Sequence, residues 1–91
     1  MKKINVNEVF YEVIREKDEC FNEEEFLEKV TDYFDKFDYI LGDYAYEKLR
    51  LKGFYDSFNK NVTNINNIDL LDDYINNYCA HGAKYFLLKK K

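Results

Sequence analysis

The stretch YILGDYAYEKLRLKGFY, Tyr39 to Tyr55, decides the fold. Tyr39-Ile40-Leu41 is a short apolar run that stops at Gly42, the form taken by a buried strand. From Leu49 the side chains alternate. Leu49, Leu51 and Gly53 fall on one side, and Arg50, Lys52 and Phe54 on the other. A strand, a turn and a second strand are therefore expected here. Gly42 is read as a strand end, and Gly53 as a tight packing or bulge position.

Upstream, Phe21-Asn22-Glu23-Glu24-Glu25-Phe26 is a helix start. Asn22 can cap and Glu25 is its capping-box partner. Phe21 and Phe26 occupy the two hydrophobic-staple positions, and three glutamates suit the positive end of the helix dipole. The apolar set Phe26, Leu27, Val30, Phe34 and Phe37 predicts one amphipathic helix over about 22–36. Before it, Asn5 to Lys17 is β-rich. Val9, Tyr11 and Val13 alternate with Phe10, Glu12 and Ile14, and a short strand over 3–6 with a turn at Asn7-Glu8 precedes them.

Downstream, residues 56–67 (DSFNKNVTNINN) form a polar, asparagine-rich loop, long enough to be functional or mobile. A second amphipathic helix is expected over about 69–80, capped by Asp69, Asn66 or Asn67 and closed by Gly82. Tyr85-Phe86-Leu87-Leu88 is the final strand. The order β(β)αββαβ predicts one α+β domain over residues 1–91, a mainly antiparallel sheet covered by two helices.

Composition narrows the function classes. The 91 residues include eight Phe and nine Tyr, which lets a small chain bury a core in few residues. Abundant Asn, Lys, Ile and Tyr suggest an AT-rich genome. The net charge is −4. Five lysines (Lys2, Lys3, Lys89, Lys90 and Lys91) sit at the two ends, so the body between them has nine cations against eighteen acids. Phosphate repels such a body, and DNA is not an expected ligand. No apolar run reaches the roughly 20 residues of a membrane span, and the N-terminal stretch lacks a signal-peptide core. A cytoplasmic protein with reduced thiols is expected.

The candidate chemistry is sparse. Cys20, Cys79 and His81 cannot supply the four paired ligands of a structural zinc site, and His81 suits a helix C-terminus as a dipole partner. The acidic run from Asp18 to Glu28 reads as a solvated helix face rather than a cation site. No phosphate loop or nucleophile elbow is present, and no cofactor is expected. A Cys79/His81 pair is two apart, on different helix faces unless the helix ends between them. Asp43 with Glu47 is the one acid/base pair the turn offers.

The runs FDYILGDYAYEKLRLKGFYD and LDDYINNYCAHGAKYFLL, with Phe21-Asn22-Glu23-Glu24 before them, resemble the YutD-like family of small bacterial cytosolic domains of unknown function. The resemblance spans about Phe21 to Leu88. It implies an α+β fold and brings no established activity. The family usually has Trp where this chain has Tyr44, and often a second cysteine where it has Ala83, so a paired-thiol role is closed to Cys79 alone.

What folding leaves unexplained is the surface formed by Asp43, Tyr44, Tyr46, Arg50 and Lys52. Aromatic and cationic side chains gathered in an acidic protein suit a non-enzymatic protein-binding or adaptor module. The alternative is an RNA- or ribosome-associated protein, with Arg50 and Lys52 on phosphates and Phe54 stacking a base. A Cys79-dependent enzyme is the third reading.

Overall fold

A computed structural model describes residues 2–6, 8–45, 47–78 and 84–91. Five strands build one antiparallel sheet: β1 (Lys3–Val6), β2 (Val9–Glu16), β3 (Tyr39–Ala45), β4 (Lys48–Phe54) and β5 (Tyr85–Lys90). Their order across the sheet is β1-β2-β5-β3-β4. Two hairpins, β1–β2 and β3–β4, thus stand side by side, and β5 fills the gap, antiparallel to β2 and β3.

Both hairpins close through two residues, because Val6 pairs with Val9 and Ala45 with Lys48. Such loops match the twist of the strands only with left-handed backbone. Glu8 (φ 71°) and Glu47 (φ 64°) supply it. Glutamate is an uncommon choice there, which is why the β3–β4 turn is longer in the sequence reading than in the structure. β3 does not stop at Leu41 but runs on to Ala45, and Gly42 sits inside it rather than at its end. The reason is packing: a Cβ on Gly42 would lie 2.2 Å from Cζ of the Phe86 ring. Gly53 meets the Phe37 ring in the same way, at 2.1 Å, as a packing position should.

The two helices lie on opposite faces of the sheet. On one face, α1 (Glu23–Lys29) packs Phe26 against Phe21 and Phe86, with ring centroids 4.9–6.2 Å apart. Ile4, Val6, Tyr11, Val13, Ile40, Leu49 and Leu88 complete that core. Asn22 Oδ1 accepts a hydrogen bond from the Glu25 amide at 3.0 Å, the cap expected of it. The helix is shorter than its apolar pattern predicts. It stops where Val30 and Thr31 take extended backbone, as β-branched residues favour, and a 3-10 turn follows over Asp32–Lys36.

On the other face, α2 (Leu71–Tyr78) is led in by a 3-10 turn, Ile68–Leu70, that Asn67 caps. Here Leu41, Phe54, Leu71 and Leu87 form a smaller core, flanked by Ile14, Tyr74 and Ile75. Ile14 reaches this face by plain alternation with Tyr11 and Val13, and a register shift between Val13 and Arg15 brings Arg15 to the same side, where it meets Asp72 of α2 and the Tyr85 hydroxyl. The strand alternation of Leu49 and Leu51 against Arg50, Lys52 and Phe54 is as the sequence predicts.

Candidate functional site on the second face of the sheet

Asp43 and Arg50 face each other across the β3–β4 ladder. Asp43 is 3% exposed, the one buried charged residue among those described, and the Arg50 guanidinium pairs with its Oδ2. A carboxylate in that position needs the cation, since a buried charge without a partner is costly. The pair therefore has a structural job, although the outer part of Arg50 stays exposed.

One step along the strand, the Lys52 ammonium lies 5.3 Å from the Phe54 ring centroid and 5.4 Å from that of Tyr74 on α2, within cation–π range. Phe54 itself is 1% exposed and meets Tyr74 edge-on at 5.6 Å. It is thus no stacking platform for a base, contrary to the Arg50–Lys52–Phe54 row read from the sequence. Lys52, Phe54 and Tyr74 instead wall a cleft of about 340 Å³, closed by Ile65, Leu70 and Asp73.

Tyr44 points to the opposite face. It packs on the α1-side core, and its hydroxyl donates to Glu25 Oε1 at 2.5 Å and reaches the Cys20 carbonyl at 3.4 Å. Burial, then the Glu25 hydrogen bond, push the phenol well above its ordinary pKa. Its role is to fasten the first turn of α1 to the sheet. Glu47 lines the same hollow as Tyr44, with Cys20 and Lys84, so the Asp43/Glu47 acid/base pair is not assembled: the two lie toward different faces. Tyr46, Cys79, His81 and Gly82 lie outside the described residues. The structure therefore brings Asp43, Arg50 and Lys52 together and separates Tyr44 from them.

The asparagine-rich loop that the sequence places over 56–67 lies beside this cleft, and its asparagines and neighbours are turn-formers. Asp56 Oδ1 accepts from the Phe58 amide, Asn59 Oδ1 from Asn61, and Asn66 Oδ1 from Thr63, at 2.6–3.1 Å. Asp38 ties the loop to the sheet, accepting from the Asp56 amide and from Asn59 Nδ2 at 2.8 and 3.1 Å. At its far end, Tyr55 and Asn67 form a parallel bridge along the open edge of β4. Side-chain acceptors of this kind replace regular structure in turns, and the density of Asn and Asp was the signal available. The loop also displays Phe58 and Ile65, 96% and 75% exposed.

The described residues include no cluster of three His, Cys, Asp or Glu able to hold a metal, and no described helix is long and apolar enough to cross a membrane. Cys20, a free thiol, lies 3.3 Å from the Tyr85 carbonyl. Burial, and then Glu16, raise its pKa, the reverse of what a nucleophile needs.

The fold has known counterparts. The family model described as "Putative antitoxin YutD-like" matches residues 5–89. The chain belongs to the YutD-like family. "Putative antitoxin YutD" of Bacillus subtilis (strain 168) is 44% identical over 80 residues, covering 88% of each chain. The solution NMR structure of yutD from B. subtilis superposes with a TM-score of 0.83 at 40% identity, over all of this chain and 83% of that one. The YutD-like family membership expected from the three sequence blocks is thus shown, together with its α+β fold.

Proposed function

We propose that the protein is a non-enzymatic protein-binding module, of the antitoxin kind that its relative's name denotes, acting through the β4 face where Arg50 and Lys52 emerge. The observation that carries this reading is the cleft beside them. Its lining combines apolar side chains (Phe54, Ile65, Leu70, Tyr74) with a cation, an acid and two amides (Lys52, Asp73, Asn64, Asn77). That is the composition of a protein-docking pocket: apolar and aromatic side chains with a few polar groups. The RNA alternative has less support, because the ring meant to stack a base is buried under Lys52 and Tyr74 and the body is acidic. Nothing among the described residues favours an enzyme.

The test is capture with cross-linking and mass spectrometry, using the wild-type chain and Lys52→Glu as baits in the source cell's lysate. The expected result is one protein held by the wild type and lost by Lys52→Glu, which then rebinds as a purified recombinant. If that protein arrests growth when expressed alone, co-expression of the wild-type chain should relieve the arrest. If no protein distinguishes the two baits, the reading is wrong.

A further inference from the structure

Resting on the protein-binding reading above, we infer that the outer edge of β4 takes up an extended segment of a partner protein as an added strand, and that this segment alternates acidic with apolar residues. β4 ends the sheet, with β3 on its inner side and no strand beyond it. The pairing settles which backbone groups face outward. Ala45 and Lys48 flank a two-residue turn and are therefore a hydrogen-bonded pair, and Arg50 and Lys52 repeat that parity on β3. Leu49 and Leu51 lie between them and turn their N–H and C=O groups to the outside.

Tyr55 stands at the same parity as Leu49 and Leu51 and shows what such groups do. Its N–H donates to the Asn66 carbonyl at 2.7 Å, and its own carbonyl accepts from the Ile68 amide at 2.9 Å. At that end of the row the chain supplies its own bridge. No described residue bonds to the outward backbone groups of Leu49 or Leu51. An edge row of this kind is the template for strand addition.

The side chains along the edge select the occupant. Lys48, Arg50 and Lys52 alternate toward the α2 face, and Leu49 and Leu51 toward the α1 face. Asp43 lies buried against Arg50, and Asp73 stands on α2 beside the cleft that Lys52 lines. Lys48 and Lys52 form no ion pair with a described residue. On the α1 side, Glu25, Glu28 and Glu47 gather near Leu49 around a hollow that Lys29 and Lys48 also border. Acids on an incoming strand are thus favoured at positions facing the α2 side and opposed at those facing the α1 side, where apolar residues meet the two leucines. A slip of one residue would reverse every position. A second copy of β4 would set the same three cations against themselves, and a nucleic acid has no amide ladder to offer.

Three short synthetic peptides provide the probe: one alternating Glu and Val, one alternating Lys and Val, and a fully N-methylated Glu/Val peptide that keeps the charges but has no amide donors. Each is titrated into the isotope-labelled full chain, with amide hydrogen exchange read by NMR. The Glu/Val peptide is expected to slow exchange at the Leu49 and Leu51 amides by about tenfold or more, as new ladder bonds do. The Lys/Val and N-methylated peptides should bind at least about tenfold more weakly. In the double variant Lys48→Glu/Lys52→Glu the order of Glu/Val and Lys/Val should reverse; an unchanged amide spectrum away from β4 certifies its fold, and the wild-type comparisons decide if it does not fold. The inference is overturned if Glu/Val leaves exchange at Leu49 and Leu51 unchanged, or if either of the other peptides binds as tightly. It is also overturned if the folded double variant keeps the wild-type order, or if the free chain sediments as a dimer with these two amides already protected. Failure of the peptides beside a captured partner that Lys52→Glu loses would remove the added strand and leave the protein-binding reading standing, whereas failure of the capture would remove that reading itself.

Discussion

The two faces of the sheet are built differently. Among the described residues, the α1 face buries Phe21 and Phe26, each edge-on to Phe86 and tilted to one another, with aliphatic side chains around them. The α2 face buries the apolar residues Leu41, Phe54, Leu71 and Leu87 and borders a cleft that exposed Ile65 and Leu70 help to line. The α1 layer is the larger and the richer in ring contacts; the α2 layer is the smaller and borders the cleft. A small domain can hold its stability in one dense layer and free the other for contact with a partner.

The largest effect should come from the α1 layer. Phe86→Ala is expected to cost about 3–5 kcal/mol, since Phe86 is fully buried against Phe21, Phe26 and Gly42. That is much of the stability of a domain this size, and thermal or urea unfolding measures it. Leu71→Ala, the matching truncation on the smaller α2 layer, is expected to cost about 2–3 kcal/mol, because half-exposed Tyr74 and Ile75 can settle into the space. If the two costs come out equal, the contrast between the faces is wrong.

Tyr44→Phe removes the hydroxyl that ties the sheet to α1 and should cost about 0.5–1.5 kcal/mol. It should leave partner capture unchanged, in contrast with Lys52→Glu. The Glu16 carboxylate sharpens the same point through pH. Burial would raise its pKa, but the Phe21 amide at 2.9 Å and the Lys2 ammonium at 3.1 Å outweigh that and hold it below the usual 4.5. A depressed folded-state pKa contributes stability above the unfolded value and loses it as pH falls through the folded one. Unfolding measured from pH 6 down to pH 3 should therefore show a loss of stability that is shallower in Glu16→Gln. The smallest effect on folding, within about 0.5 kcal/mol, is expected for Phe58→Ser.

The parts of this fold that follow local rules were readable beforehand. Asn22, Phe21 and Phe26 announced α1, and the Leu49–Leu51 alternation announced β4, because capping and pleat act over a few residues. What could not be read depended on residues far apart in the chain. Gly42 looked like the end of a strand because nothing local reveals the Phe86 ring that occupies its Cβ position. The five candidate residues looked like one patch, but a strand sends Asp43 and Tyr44 to opposite faces once β3 is known to continue to Ala45. That continuation depended on a two-residue turn with no Asn or Gly to signal it. The 56–67 loop was seen as polar; that its polar groups hold two apolar side chains outward is a matter of which amide each acceptor reaches.

The insertion of β5 between the hairpins has a consequence for how the protein is made. Each hairpin is local and can form as soon as it is synthesised, yet neither has a sheet neighbour until Tyr85–Lys90 emerges. Phe86 and Leu87, which fill the centres of the two cores, come from that same strand. During translation the nascent chain therefore carries two unjoined ribbons with exposed inner edges. The protein becomes one body in a single late step, and a ribosome that stalls before residue 85 would release an adhesive fragment rather than a smaller version of the fold.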